Sequence, residues 1–265
     1  MKALIDLDFV KYAIASIGED RFITVTHVKS GRKKKFKNRT EFYGHHSKKA
    51  GGWLGETNLK RLSEGLPPFE LEEFTIEDGR EISEPLENIL HSAKLMVEDA
   101  IKCSKALSYE TFIGGGDDYR VNLSTLLEYK GNRKDMVKPI RLDDVTQYLA
   151  KKYEAKIIKE LEVDDIVTSG AYNNPNTFII GVDKDYYGSG CHFYNTNRPE
   201  EGIVDCTGFG KLWLDGGKVR GVGRMFKYFQ VLSENDADNY CANCFSEVKW
   251  GSSVAFLKLG QHILR

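Results

Sequence analysis

The stretch Thr177-Phe-Ile-Ile-Gly-Val-Asp183-Lys-Asp185 decides the fold, because six uncharged residues run directly into a pair of carboxylates. A continuous apolar run of this length is typical of a strand in the middle of a parallel sheet that is covered on both faces. In such sheets ligands bind beyond the carboxyl ends of the strands. The stretch therefore predicts a central strand, Thr177–Val182, and a functional site beside its end.

Strands and helices alternate on both sides of this stretch. The predicted strands are Leu4–Asp8, Tyr109–Ile113 (leading into a turn at Gly114–Gly116) and Ala155–Ile158, with a hairpin at Phe22–Val28 and the basic residues after it. Two predicted helices begin at Ser83 and at Val163, and a third spans about Leu142–Tyr153, with Asp143 or Asp144 as its cap. Two short helices are predicted at Phe226–Leu232 and Val254–Leu259. Gly51–Pro68 is predicted to be a loop. This alternation predicts an α/β fold with a mostly parallel sheet.

Composition places the chain among ordinary soluble proteins. Of its 265 residues, 41% are hydrophobic and 29% are charged, which argues against a disordered or fibrous chain. The longest apolar runs, such as Phe178–Val182, are too short to span a bilayer, and Asp6 and Asp8 argue against a signal peptide. Five cysteines do not suggest a disulfide framework. We therefore expect a cytoplasmic monomer with no membrane partner, in the host cytoplasm if the chain is encoded by a phage.

The charges are unevenly distributed along the chain. Between Lys29 and Lys49 there are nine basic residues and one acidic residue, so the rest of the chain holds 29 basic and 38 acidic residues. A basic run of this kind suits a polyanion such as nucleic acid, although a solvated hairpin tip explains it as well. The candidate phosphate contacts in the run are Lys33, Lys34, Lys35, Lys37 and Arg39.

Acidic residues recur where predicted strands end or helices begin. They occur as Asp6 and Asp8, as Asp117 and Asp118 after three glycines, as Glu162, Asp164 and Asp165, as Asp183 and Asp185, and as Asp236 and Asp238 beside Asn235. Carboxylates crowded at one edge repel each other unless cations lie among them. Oxygen ligands suit Mg²⁺ or Mn²⁺, and two such ions about 3.5–4 Å apart promote phosphodiester cleavage. The alternative to a metal site is that these acidic residues only cap helices and solubilise loops.

Basic and aromatic residues lie between these acidic groups in the sequence. Lys130 and Arg133 would hold a scissile phosphate and offset charge in the transition state, and Arg120, which precedes them, would bind the nucleic acid. Tyr129 would stack on a base. A solvated loop with a core aromatic is the alternative for this segment.

The ordered set of motifs resembles the 5′-to-3′ exonuclease and flap endonuclease family, especially its short bacteriophage members, which are related to the 5′-nuclease domain of DNA polymerase I. The resemblance covers nearly the whole chain. Its motifs are matched by Asp6 and Asp8 after the first strand, by the Tyr-Lys-x-Asn-Arg sequence Tyr129–Arg133, by the Glu-x-Asp-Asp sequence Glu162–Asp165, by Asp183 and Asp185, and in part by Asp238 with Asn239.

The resemblance implies a PIN-like, mostly parallel central sheet flanked by helices. It implies a catalytic domain over residues 1–220, with a basic hairpin insertion at about 22–50. Residues 221–265 would form a short, reduced helix–hairpin–helix-like element that grips DNA. That element would contact backbone near Ser252 and Ser253, with K⁺ as a further ion.

The resemblance also implies the activity. Two Mg²⁺ or Mn²⁺ ions would support hydrolysis near 5′ ends, nicks or flaps of DNA, or of RNA–DNA hybrids, in phage replication, leaving 5′-phosphate and 3′-hydroxyl ends. Lys130 and Arg133 would face the scissile phosphate. The implied metal ligands are Asp6, Asp8, Glu162, Asp164, Asp165, Asp183, Asp185 and Asp238.

Two positions depart from the family pattern. Glycines occupy the turn where the family carries an Asp, so that Asp117 or Asp118 would stand in for it. Asn235 takes the place of the first Asp of the late motif, with Asp236 beside it.

Two other functions fit parts of the sequence. A haloacid-dehalogenase-like phosphatase would use Asp6 as nucleophile and Asp8 as acid and base. A catalytically degenerate nuclease fold would bind DNA without cutting it, and the glycine and asparagine replacements motivate that alternative.

Overall fold

The computed structural model describes residues 1–45, 51–120, 130, 136–172 and 174–233. The chain forms two compact units. One comprises Met1–Ser16 together with the chain from Glu87 onward, and the other comprises Ile17–Leu86. The basic hairpin expected at about residues 22–50 therefore belongs to a longer segment with a core of its own.

The elements of the described residues are as follows. The strands are β1 (Lys2–Asp6), β2 (Glu19–His27), β3 (Lys33–Phe36), β4 (Phe74–Ile82), β5 (Ser108–Asp118), β6 (Lys156–Glu160), β7 (Thr177–Gly181), β8 (His192–Asn195), β9 (Ile203–Asp205), β10 (Lys211–Asp215) and β11 (Lys218–Val222). The helices are α1 (Asp8–Ile17), α2 (Arg39–Tyr43), α3 (Gly52–Ser63), α4 (Leu86–Ser104), α5 (Leu142–Lys152), α6 (Val163–Ala171) and α7 (Gly223–Leu232), with short 3₁₀ turns at Leu71–Glu73, Lys184–Gly188 and Pro199–Glu201.

The first unit is built on a six-stranded sheet in the order β6-β5-β1-β7-β8-β9. The first five strands of that order are parallel, and β9 runs antiparallel to β8. The prediction of an α/β fold with a mostly parallel sheet is confirmed. Strand β1 lies between β5 and β7, so the strand order reverses at β1, which is where such sheets form a crevice.

Both faces of this sheet are covered, because successive residues of its central strands enter two different cores. On one face Ile5 and Ile180 pack with residues of α1, α4 and α5. On the other face Leu4 and Ile179 pack with residues of α6 and of the turn Lys184–Gly188. Burying an aliphatic side chain of this size stabilises the fold by about 1.5–3 kcal/mol. The uninterrupted apolar run at Thr177–Gly181 follows from this burial on two sides.

The second unit is a three-stranded antiparallel sheet in the order β3-β2-β4. Ile23, Val25 and Phe36 on one face of it pack against Phe42 of α2 and Leu54 of α3. The predicted hairpin with its basic second strand is therefore confirmed.

The prediction of a loop over Gly51–Pro68 was wrong for its first part, where α3 forms. Gly51 and Gly52 take positive φ angles at the start of the helix rather than interrupting it. Leu54 then enters the core, and the Trp53 ring lies 6.0 Å from that of Phe42. Tertiary packing of an apolar face outweighs the weak helix propensity of glycine.

Three further expectations need correction. Strand β5 continues through Gly114–Gly116 to Asp118 instead of turning at the glycines. Arg141, rather than Asp143 or Asp144, is the N-cap of α5, and both acids lie in its first turn. Strand β4 was not predicted, because its charged residues hide the pattern, although it pairs with β2 over nine positions.

Among the described residues, none of the helices combines the length and the apolar character that crossing a membrane requires. Of the DNA-gripping element predicted over residues 221–265, the structure describes residues 221–233, which form the end of β11 and α7. The rest of that element, with the predicted helix Val254–Leu259, lies outside the described residues.

The sheet core allows a matched test of stability. Ile180 of β7 is 0% exposed and Ile157 of β6 is 54% exposed. We expect Ile180→Ala to lower the free energy of unfolding by about 2–5 kcal/mol. Ile157→Ala should cost less than about 1 kcal/mol, because its side chain already contacts water. Urea unfolding followed by circular dichroism measures both, and equal losses would contradict the assignment of β7 to the centre of the sheet.

Candidate metal centre

The acidic residues of three segments meet at the carboxyl end of the parallel sheet. Asp6 ends β1, which pairs with β5 on one side and with β7 on the other. Asp183 follows the end of β7. Glu162 is the N-cap residue of α6, which packs against β1, β5 and β7. The expectation that these segments gather at one edge of the sheet therefore agrees with the topology.

Asp6 is the residue of this group whose ionisation is most perturbed. Its Oδ1 accepts a hydrogen bond from the backbone N–H of Asp8 at 2.8 Å, and its Oδ2 accepts one from the Tyr186 hydroxyl at 2.7 Å. Burial raises the pKa of Asp6 to about 7, and the charges of Asp8 and Asp164 add to the increase. At neutral pH the carboxyl is thus only partly ionised in the absence of an added cation.

Asp164 shows the same behaviour on α6. Burial raises its pKa to about 6, with further increases from the negative charges of Glu162, Asp165 and Asp183. Its Oδ1 accepts the backbone N–H of Asp165 at 2.8 Å, which fixes the carboxyl at the start of the helix. Because Asp164 influences Asp6 and is influenced by Asp183, carboxylates from all three segments share one electrostatic environment.

Asp183 and Asp185 lie in the segment after β7. Asp183 caps the turn Lys184–Gly188 by accepting the backbone N–H of Asp185 at 2.9 Å. Burial raises the pKa of Asp185, and the charge of Asp183 raises it further. The side-chain amide of Gln230 donates a hydrogen bond to Asp185, and the Lys227 charge partly offsets the increase.

Two basic residues lie against the acids of α6. Arg120 contacts Asp165 at 2.6 Å and Glu162 at 3.4 Å, and Lys130 forms an ion pair with Glu162. Sequence reasoning assigned both residues to a phosphate. The structure places their charges at the edge of the acidic group, where a bound phosphate would also need them.

Asp8 points toward β5 and has different neighbours. Its Oδ1 lies 2.8 Å from the buried Lys11 Nζ and accepts the backbone N–H of Gly114 at 2.7 Å. Lys11 Nζ also donates to the Gly114 carbonyl at 2.8 Å. A Cβ on residue 114 would lie only 2.8 Å from Asp8 Oδ2, so a larger residue there would have to displace the Asp8 carboxylate. Asp8 therefore joins α1 to β5, and its role as a metal ligand stays a prediction.

The chemistry of these donors fits a hard divalent cation. All of them are carboxylate oxygens, which Mg²⁺ and Mn²⁺ prefer, and two of them have pKa values raised partly by mutual repulsion. Within the described residues, however, no three His, Cys, Asp or Glu side chains are arranged to hold an ion.

The basic hairpin of the second unit is partly neutralised by β4. Arg39 makes two hydrogen bonds to Asp78, at 2.7 and 2.8 Å, and Lys35 lies 3.7 Å from Glu81. Lys34 packs its ammonium group 4.9 Å from the centroid of the Trp53 ring. Nucleic-acid contact by Lys33, Lys34, Lys35, Lys37 and Arg39 stays a prediction.

Several predicted site residues lie outside the described residues. They are Tyr129, Arg133, Asn235, Asp236, Asp238, Ser252 and Ser253, together with the side chains of Asp117 and Asp118.

Sequence reasoning missed three residues that contact the acidic group. Tyr186 follows the Asp183-Lys-Asp185 pattern directly, but an aromatic residue beside an apolar strand is also typical of a core. Lys11 lies three residues after Asp8, a spacing that places two side chains on the same face of a helix and could have indicated the ion pair. Nothing in the sequence around Gln230 points to Asp185.

Comparisons with protein-family models, with curated proteins and with solved structures find no match to this chain. The interpretation of the site therefore depends on its geometry and chemistry.

The raised carboxyl pKa values predict how stability depends on pH. An acid whose pKa rises from 3.8 to about 7 on folding, as for Asp6, stabilises the folded state most at low pH. That contribution is lost as the pH rises through the pKa of the folded state. Without divalent cations, the melting temperature should therefore fall between about pH 4 and pH 7, and Asp6→Asn should reduce this dependence. Thermal unfolding in a chelating buffer measures both.

Asp205 provides the control for this experiment. Its pKa is lowered, chiefly by hydrogen bonds from Thr207. Asp205→Asn should therefore leave the fall of the melting temperature with rising pH unchanged. If the melting temperature of Asp6→Asn depends on pH as that of the wild type does, the carboxyl of Asp6 does not have the raised pKa described above.

The close approach of Asp8 to Gly114 predicts that a substitution at Gly114 lowers the stability of the protein. We expect Gly114→Ala to destabilise the protein by about 1–3 kcal/mol, because the added Cβ displaces Asp8 and Lys11 from β5. Gly55→Ala is the matched control, since Gly55 lies within α3 and a Cβ there meets nothing within 4 Å. It should be neutral or stabilising by up to about 1 kcal/mol. Denaturant unfolding that gave both variants the same stability would contradict the Asp8–Lys11–Gly114 contact.

Proposed function

We propose that this chain is a divalent-metal-dependent 5′-nuclease of PIN-like fold that hydrolyses phosphodiester bonds near 5′ ends of DNA, including RNA primers paired with DNA. The observation that carries the proposal is the gathering of Asp6, Asp164 and Asp183 at the carboxyl end of one parallel sheet, with the pKa values of Asp6 and Asp164 raised. The PIN-like assignment is supported by the central position of β1 between β5 and β7.

The donor chemistry assigns the metal ligands of this proposal. Asp6, Asp164, Asp183 and Asp185 would hold Mg²⁺ or Mn²⁺, with Glu162 and Asp165 beside them as ligands of a second ion. A bound ion of this kind lowers the pKa of water and offsets charge on the oxygens of the phosphodiester.

Arg120 and Lys130 bind the substrate in this proposal. Their charges lie against Glu162 and Asp165, so a phosphodiester held at the acidic group is within reach of charge-assisted hydrogen bonds from them. Such bonds strengthen as negative charge develops on the phosphate oxygens, which stabilises the transition state. Arg133 and Asp238 join these roles by resemblance alone.

The phosphatase alternative has less support. It requires Asp8 to exchange protons with a substrate. Asp8 accepts a hydrogen bond from the backbone N–H of Gly114 and pairs with the buried ammonium group of Lys11, so its carboxylate is already engaged by α1 and β5. We therefore do not propose that function.

Digestion of end-labelled blunt, nicked and 5′-flapped duplexes tests the proposal. With Mg²⁺ or Mn²⁺ the wild type should release short 5′ fragments, and a chelator should abolish the reaction. Asp165→Asn and Asp183→Asn should reduce the rate by about 100-fold or more, because each replaces a proposed carboxylate ligand with an amide. Asp205→Asn should retain the wild-type rate, since Asp205 pairs with His192 at the opposite end of the sheet.

Two results would contradict the nuclease. Binding of flapped DNA without cleavage, under either metal ion, would favour a protein that only binds DNA. Transfer of a labelled phosphoryl group from a phosphate monoester to Asp6 would favour the phosphatase instead.

A further inference from the structure

Tyr186 is held rigidly beside the acidic group. It lies in the turn Lys184–Gly188 and is 2% exposed, and its ring centroid is 5.1 Å from that of Phe193. A Cβ on Gly181, the last residue of β7, would lie 2.7 Å from Cε2 of the same ring. Burial and these two close neighbours leave the ring little freedom, so packing fixes the direction of its hydroxyl group.

The hydroxyl group of Tyr186 is directed at a single carboxyl oxygen. It donates to Oδ2 of Asp6 at 2.7 Å, while Oδ1 of Asp6 accepts the backbone N–H of Asp8. Each carboxylate oxygen has two lone pairs, so both oxygens keep one available for another partner. The two donors therefore fix the plane of the carboxyl group without using up its capacity to bind a cation.

Tyr186 also joins two parts of the acidic group. It belongs to the same turn as Asp185, one residue away, and it contacts Asp6 at the end of the neighbouring strand. The Tyr186 hydroxyl group thus joins the carboxylate at the end of β1 to the segment after β7 that carries Asp183 and Asp185.

We propose that Tyr186 is a positioning residue that orients Asp6 and thereby sets the affinity of the acidic group for a divalent cation. This inference rests on the proposed function, because it takes Asp6 to be a metal ligand. Side chains that hydrogen-bond a ligating carboxylate commonly change metal affinity by about 10–100-fold when they are removed. Tyr186 acts through Asp6 and does not touch the substrate.

The next residue provides a matched control. Tyr187 also pairs its hydroxyl group with a carboxylate, that of Glu201, and accepts a hydrogen bond from Asn195. Its ring packs against the same Phe193, at a centroid distance of 5.0 Å. Tyr187→Phe therefore removes the same kind of contact from the same turn, but the acid concerned does not belong to the acidic group.

The experiment measures binding of Mn²⁺ to the full chain by isothermal titration calorimetry without nucleic acid. We expect Tyr186→Phe to weaken binding about tenfold and Tyr187→Phe to change it less than about twofold. Thermal unfolding of the metal-free variants should show similar melting temperatures. In cleavage assays Tyr186→Phe should need about ten times more Mn²⁺ for half-maximal rate, with most of the rate recovered at saturation.

Gly181→Ala is a second variant that keeps the hydroxyl group and displaces the ring. It should weaken Mn²⁺ binding as Tyr186→Phe does, and it provides the comparison if that variant fails to fold. Equal Mn²⁺ affinity in the wild type, Tyr186→Phe and Gly181→Ala would overturn the inference and leave the proposed nuclease intact. Absence of Mn²⁺ binding to the wild type would overturn both the inference about Tyr186 and the proposed nuclease. Asp6→Asn shows what the titration looks like when a proposed ligand is removed.

Discussion

Repulsion among carboxylates that share a partly buried edge is the constraint on which the rest of this structure depends. Asp6 and Asp164 come from a strand and a helix far apart in the chain, yet each lies in the field of the other. Folding holds them there because Ile5, Leu4 and their neighbours are buried on both faces of the sheet. The apolar core thus supplies the free energy that brings like charges together, and burial, with the repulsion added to it, raises the pKa values of Asp6 and Asp164.

Cations of the protein only partly relieve that repulsion. Arg120 and Lys130 balance Glu162 and Asp165 at one side, and Lys11 balances Asp8 at the other. Between them Asp6 relies on hydrogen bonds from Tyr186 and the backbone, which are weaker than a full opposite charge. An added divalent ion would supply the missing positive charge, and this requirement links the fold to the proposed hydrolysis of a charged backbone.

The sequence predicted those parts of the molecule whose signals are local. The apolar run at Thr177–Gly181 predicted a central strand of the sheet. The acidic residues after the predicted strands indicated the edge of the sheet at which they gather. Strand β4 was missed because its position depends on pairing with β2 rather than on its own pattern. Packing between distant segments brings Tyr186 to Asp6 and brings the Asp8 carboxylate close to Gly114. No local pattern in the sequence encodes that packing.

The most direct test of the shared acidic site is a crystal structure of the protein soaked in Mn²⁺, with the anomalous signal used to locate the ion. A shared metal site requires Mn²⁺ density bounded by Asp6, Asp164 and Asp183, with carboxylate oxygens about 2.0–2.2 Å from the ion. Ordered carboxylates with no Mn²⁺ between them, and with Arg120 and Lys130 still paired to Asp165 and Glu162, would contradict it.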